Sequence, residues 1–125
     1  MKKIIIFVSL IFVFSCTNNN EEDFFGTECD TNDVYYITSD ESRSVFNIIT
    51  NKCIGCHGQD NSLGIVSLAT YQDLISVNNL LDVINLDINN PSAMPPAGMP
   101  QLTDCEKSQL TSWVNNGYLY DEAQR

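Results

Sequence analysis

The chain has 125 residues, of which 16 are acidic and 6 basic, for a formal charge of −10. A surface of that sign argues against nucleic acid as a partner, and the length suits one domain. Hydrophobic residues at 43% are enough for a small core, and the five cysteines make redox state and compartment the first question.

Met1-Lys2-Lys3 precede an apolar run over residues 4–14, broken only by Ser9. The run is shorter than the roughly 20 residues that a membrane-spanning helix needs. Its length and basic flank fit the apolar region of a secretory signal. Val13-Phe14-Ser15-Cys16 then resembles a lipobox, in which a small residue precedes a cysteine that is lipidated after cleavage. Phe14 is bulkier than usual for its position, and an ordinary signal with a spare thiol at Cys16 is the alternative. Residues 1–15 are therefore expected to be a lipoprotein signal and 16–28 a lipidated tether. The polar stretch at 17–23 has no apolar period and should be disordered.

Thr17 is not the aspartate that, after the lipidated cysteine of Gram-negative lipoproteins, tends to mark inner-membrane retention. Glu21-Glu22-Asp23 resembles surface-export signals of some Gram-negative lineages, and equally suits a solvated spacer. The expectation is an exported protein anchored by lipid to the outer membrane, facing periplasm or cell surface. Loss of Lys2 and Lys3 with the signal takes the formal charge from −10 to −12. A neutral or basic partner protein is then favoured, because complementary fields speed encounter.

Residues 29–120 are expected to form the folded domain, with a tail at 121–125. Its first helix is predicted over 38–52, with Thr38-Ser39-Asp40-Glu41 as a capping box. Val45, Phe46, Ile48 and Ile49 supply an apolar stripe for the core. The helix leads into Cys53-Ile54-Gly55-Cys56-His57, the C-x-x-C-H signature of covalent haem attachment. Two thiols at that spacing reach two vinyl groups on one edge of a porphyrin, and the adjacent imidazole reaches the iron. His57 is the only histidine, so no second imidazole of this chain can take the sixth iron position.

Other chemistries use the same residue types. A dithiol redox pair at Cys53 and Cys56 would want a βαβ context, which the chain does not show. A structural zinc site would need a fourth ligand, for which Cys105 is the available thiol. Buried structural thiols beside a chance histidine are the plain alternative.

Residues 58–69 read as a loop rich in turn formers, with Leu63, Ile65, Val66 and Leu68 suited to covering a porphyrin edge. Ile65-Val66 as a short strand fits equally well. Short helices are predicted at 71–77, capped by Thr70, and at 80–86, capped by Asn79. Residues 90–101 form an irregular loop, because Pro91, Pro95, Pro96 and Pro100 exclude regular helix. The last helix is predicted over 103–116. There Thr103-Asp104-Cys105-Glu106 is a capping box, Leu110, Trp113 and Val114 are the buried stripe, and Gly117 is the left-handed C′ residue.

With one histidine, a six-coordinate iron needs another ligand. A methionine thioether is soft and favours ferrous iron. Met94 and Met99 are both followed by proline. Met94 lies 37 residues after His57 and nine before Thr103, whereas Met99 leaves only four before that cap. Met94 is thus the preferred distal ligand and Met99 the alternative; either is otherwise a gap-filling core residue. In an oxidising compartment the remaining thiols, Cys29 and Cys105, are expected to form a disulfide, with two unpaired buried thiols as the alternative.

Together these residues resemble class I c-type cytochrome domains. The resemblance rests on Cys53-Ile54-Gly55-Cys56-His57, Met94-Pro95-Pro96, Leu102-Thr103-Asp104-Cys105 and Trp113-Val114-Asn115-Asn116-Gly117. It is nearest to small bacterial lipoprotein cytochromes with a cysteine-aspartate pair ahead of the first helix, here Cys29-Asp30. It spans residues 29–117. It implies an all-α fold, with crossed N- and C-terminal helices packed around one covalently bound haem c. It implies Cys53 and Cys56 as attachment points, His57 as proximal and Met94 as distal iron ligand. The second Met-Pro pair at Met99 departs from the pattern. The implied function is one-electron transfer rather than enzymatic catalysis. The rivals are a haem sensor or enzyme with an open distal face, and a non-haem surface-binding lipoprotein.

Overall fold

The computed structural model describes residues 29–60 and 64–124. The signal segment 1–15, Cys16 and its tether, and Leu63 of the loop lie outside the described residues. The elements are α1 (Val45–Lys52), α2 (Ile54–His57), α3 (Tyr71–Ile75), α4 (Leu80–Ile84) and α5 (Asp104–Asn115), with 3₁₀ turns at Glu41–Arg43 and Glu122–Gln124. Among the described residues no strand forms. An isolated parallel bridge pairs Tyr35 with Ser44. The described chain is therefore all-α, and none of its helices is long and apolar enough to cross a membrane.

Helix α1 starts later than its sequence suggests. Ser44, not Thr38, is the N-cap, with extended backbone and a hydroxyl that accepts from the Asn47 N–H at 3.4 Å. The cause is non-local. Val45 N–H and Phe46 N–H, which have no partner inside the helix, donate to the carbonyls of Tyr35 and Tyr36, both at 3.0 Å. The Ser44 hydroxyl also donates to Tyr36 O at 3.2 Å. Thr38 is drawn elsewhere, its hydroxyl donating to Glu122 Oε1 at 2.6 Å. Asp40 instead caps the 3₁₀ turn, accepting from Ser42 N–H at 3.0 Å. Of the expected stripe, Val45, Ile48 and Ile49 are buried, while Phe46 is exposed on its flank.

Helix α5 begins as its capping box predicts. Glu106 N–H donates to Thr103 Oγ1 at 3.1 Å, and Thr103 N–H to Glu106 Oε2 at 2.7 Å. Its side chains at 105, 109 and 112 share one face by their i, i+4, i+7 spacing, and the N-terminal segment is fastened along that face. Cys105 forms the expected disulfide with Cys29, their Cα atoms 5.5 Å apart. Gln109 Nε2 donates to Asp30 O at 3.1 Å and Ser42 O at 2.9 Å. Ser112 Oγ donates to Thr31 O at 2.7 Å. Gln109 is buried, so these bonds replace the water its amide gives up.

Helix α3 is capped by Thr70 in a full capping box with Asp73. It is shorter than the predicted 71–77, because Ser76 N–H and Val77 N–H bond back only three residues, to Asp73 O and Leu74 O. Helix α4 follows Asn79 but ends at Ile84, short of the predicted 86, and the Asn79 side chain makes no capping bond.

Helix α1 packs on α5, and Val34, Val45, Leu74, Leu110 and Trp113 form the most deeply buried part of the core. The Trp113 indole N–H donates to Leu119 O at 2.8 Å. Tyr36, Tyr71, Tyr118 and Tyr120 ring this end of the core in edge and stacked contacts. The C-terminus of α5 is a Schellman motif. Tyr118 N–H reaches Trp113 O at 3.0 Å, and Gly117 N–H reaches Val114 O at 3.1 Å. Gly117 has φ +84°, and the Tyr118 ring meets Trp113 with centroids 5.1 Å apart, the contact that accompanies such a cap. A Cβ added at Gly117 meets nothing within 4 Å. Gly117→Ala is therefore expected to cost about 1 kcal/mol through backbone conformation alone, read as a lower denaturant midpoint with an unchanged slope.

Candidate functional site

Cys53 is the hinge between two helices. It is the C-cap of α1, with its N–H on Ile49 O at 2.9 Å, and also the N-cap of α2. Its carbonyl accepts from Cys56 N–H at 3.1 Å and from His57 N–H at 2.9 Å. One helical turn thus carries positions i, i+3 and i+4, which lie on the same face. The two thiols and the imidazole emerge there as a set.

His57 is fixed from two directions. Its backbone carbonyl accepts from Leu68 N–H at 2.8 Å, and its ring Nδ1 lies 2.7 Å from Val66 O. A carbonyl can only accept, so that contact places the ring proton on Nδ1. In the neutral ring Nε2 is then the nitrogen with the free lone pair. Metal-binding histidines are typically oriented in this way, by a hydrogen bond on the other nitrogen.

Cys53, Cys56 and His57 all line one cavity of about 350 Å³, within the range of small-molecule and cofactor sites. Its walls are aliphatic, from Ile49 and Leu110 of the helix pair, Leu68 of the loop, Leu80, Val83 and Ile84 of α4, and Leu102. Met94 and Met99 line it as well, with Pro95 and Pro96 between them. The structure thus brings together every site residue predicted in the domain except the Cys29–Cys105 pair, which is structural. Ile65 and Val66 line the same cavity in an irregular segment with no strand.

Four cavity-lining residues are large, apolar and exposed: Ile65 at 37%, Val66 at 55%, Met94 at 36% and Met99 at 43%. Scattered exposed apolar residues are ordinary, but these share one cavity, and a patch of that kind marks a surface that something covers. The donor set fits a haem: two thiols, one oriented imidazole nitrogen and two thioethers around an apolar space. It fits zinc poorly. Among the described residues no group of three or more His, Cys, Asp and Glu is placed to hold a metal ion by itself, and Cys105 is already tied to Cys29.

Two polar residues, one lining the cavity and one behind its methionine loop, carry no sequence signal. Lys52 lines the cavity and pairs with Glu106 Oε2 at 3.5 Å. Gln101 donates from Nε2 to the carbonyls of Pro95, Pro96 and Met99. Neither belongs to a spacing motif, and the Val66 carbonyl has no side-chain signature at all.

Comparison with protein-family models, with curated proteins and with solved structures yields no match. The functional reading therefore stands on the residues and their geometry.

Burial pushes the Cys53 thiol up to about 11, with the Glu106 charge adding to the effect. The thiol is thus held neutral at physiological pH, the opposite of the lowered value of an attacking dithiol cysteine. In protein prepared without cofactor and carrying Cys56→Ser, alkylation of Cys53 by iodoacetamide should be slow at pH 8. It should accelerate toward pH 11, with about a hundredfold less thiolate at pH 8 than a thiol titrating near 9. Alkylation as fast as that of free cysteine would show that the site is not desolvated.

Proposed function

We propose that this protein is a mono-haem c-type cytochrome, lipid-anchored through Cys16, that carries single electrons in the extracytoplasmic space. The observation that carries the reading is the cavity. The C-x-x-C-H turn opens onto its apolar walls with the imidazole oriented by Val66, and the two thioethers share its lining. In this reading the all-α chain is a small cytochrome c fold, with α1 and α5 as the crossed helices.

Haem c, when bound, supplies a one-electron ferric–ferrous couple. The chain's residues would set how that couple behaves. Cys53 and Cys56 offer thiols for two thioether bonds, which hold the group whatever its oxidation state. His57 offers Nε2 while the Val66 carbonyl holds Nδ1–H, which steadies the ring. A methionine thioether, from Met94 or else Met99, favours ferrous iron and so raises the potential. The aliphatic walls exclude water and disfavour added charge, which acts in the same direction. A methionine thioether on the second face would leave no open position for oxygen chemistry, and Met94 and Met99 both line the cavity to supply one; with that ligation the chain is a carrier rather than an enzyme or sensor.

The acidic surface bears on partners. Of the basic side chains in the domain, Arg43 is engaged by Asp30 and Asp40, and Lys52 by Glu106. These pairs leave the net charge unchanged, and with 16 acidic against 6 basic residues a neutral or basic redox protein is the fitting partner. In this reading the lipid on Cys16 confines encounters to the outer-membrane surface.

The test is an optical spectrum of protein truncated before Cys16 and produced in a periplasm with a competent haem-attachment system. A sharp reduced α-band of haem c and a weak near-infrared ferric band from iron–methionine bonding are expected. Met94→Ala should abolish the near-infrared band and Met99→Ala should preserve it; the reverse would transfer the ligand role to Met99. A high-spin ferric spectrum in the unaltered chain would favour the open-face sensor or enzyme. Colourless protein would sink the reading.

A further inference from the structure

The methionine loop has a donor problem. Pro91, Pro95, Pro96 and Pro100 have no N–H, so the loop's carbonyls find few backbone partners within it. Two backbone bonds hold the methionines: Met94 N–H to Val83 O at 3.0 Å, and Met99 N–H to Pro96 O at 3.1 Å. A single side chain gathers the carbonyls. Gln101 Nε2 lies 3.3 Å from Pro95 O, 2.9 Å from Pro96 O and 3.0 Å from Met99 O. An amide nitrogen has two protons, so three carbonyls share them, and the segment between the two methionines is drawn around one point.

Gln101 is itself anchored. Its backbone carbonyl accepts from Lys52 Nζ at 2.8 Å. Lys52 is the last residue of α1 and immediately precedes Cys53. The same ammonium lies 3.5 Å from Glu106 Oε2, the oxygen that closes the α5 capping box on Thr103 N–H. A continuous polar chain therefore runs from α5, through the residue beside the attachment turn, to the loop that presents both thioethers.

We infer that Gln101, seated by Lys52, is a positioning residue that holds the methionine loop against the cavity and so secures the iron–sulfur bond. The inference rests on the haem reading proposed above. Gln101 touches neither the cofactor site nor the methionine sulfurs in this role. It acts through the backbone of residues 95–99. Its contacts are partly solvent-exposed, so water can replace some of them. The effect should be a more easily displaced ligand rather than an unfolded domain.

The experiment is an imidazole titration of the ferric holoprotein, followed by loss of the near-infrared iron–methionine band. Gln101→Glu keeps the side chain's size and, once ionised, has no proton to donate. It should let imidazole displace methionine at about tenfold lower concentration, the change expected for roughly one net hydrogen bond. Lys52→Met, which frees the Gln101 carbonyl, should shift the titration in the same direction by a smaller factor. An unaltered chain that shows the band, with a Gln101→Glu titration within twofold of it, would overturn the positioning role while leaving the cytochrome reading intact. An unaltered chain without the band would overturn the ligation on which the role depends. If Gln101→Glu does not fold, Lys52→Met decides by the same titration: a shift supports the role and no shift overturns it.

Discussion

The arrangement of the site depends on His57, which clasps the 58–68 loop twice. Its carbonyl accepts from Leu68 N–H, and its ring donates to Val66 O. One residue thereby sets the entrance of the loop, its exit and the orientation of its own imidazole. The loop then delivers Leu68 to the core and leaves Ile65 and Val66 on the cavity rim. Without the ring bond, either nitrogen could carry the proton and the ring would turn more freely. With it, the ring is held in one orientation and, when neutral, one nitrogen is left to accept, the preorganisation that a metal ligand would need.

How much of this was legible in the sequence divides along one physical line, local against non-local. The α5 cap was readable because Thr103 and Glu106 satisfy each other within one turn. The C′ glycine was readable because only the left-handed backbone needs that residue type there. The placing of Cys53, Cys56 and His57 on one turn was readable because their i, i+3, i+4 spacing shares a helix face. The α1 start was misplaced because its true determinants are Tyr35 and Tyr36, whose carbonyls take the first helical N–H groups. Thr38 looked like a cap and is instead bonded to Glu122, 84 residues away. The same limit hid Gln101 and Lys52. Their roles are hydrogen bonds to backbone carbonyls, and a carbonyl looks the same at every position of a sequence.

The predicted disulfide illustrates what a long-range constraint adds. Parity and compartment pointed to Cys29 and Cys105, and the two do pair, across a separation of 76 residues. A cross-link over so long a loop removes much of the unfolded chain's freedom, about 4 kcal/mol on the chain-entropy account. Its placement matters as much as its magnitude. It pins the segment before α1 to the first turn of α5. Gln109 and Ser112 then continue the seam along the same helix face. The α1–α5 pair is in this way clamped from outside the cavity, without using any residue that lines it except through the shared helices.

That separation explains how so small a domain can hold a large apolar space. A cavity weakens a core because its lining atoms lack partners on one side, and a chain of this length has little stability to spare. Here the aromatic cluster supplies packing without lending a residue to the cavity lining. Trp113, fully buried, and the surrounding tyrosines fill one end with close ring contacts. The other end leaves Met94, Met99, Ile65 and Val66 exposed around the attachment turn. The aromatic end and the disulfide seam hold the helices in register, so the helices can present thiols, imidazole and thioethers around a space they do not fill themselves. The aliphatic residues Ile49, Leu68, Leu80, Ile84, Leu102 and Leu110 belong to the buried core and line the cavity at once, so the wall of the cavity is held by the core itself.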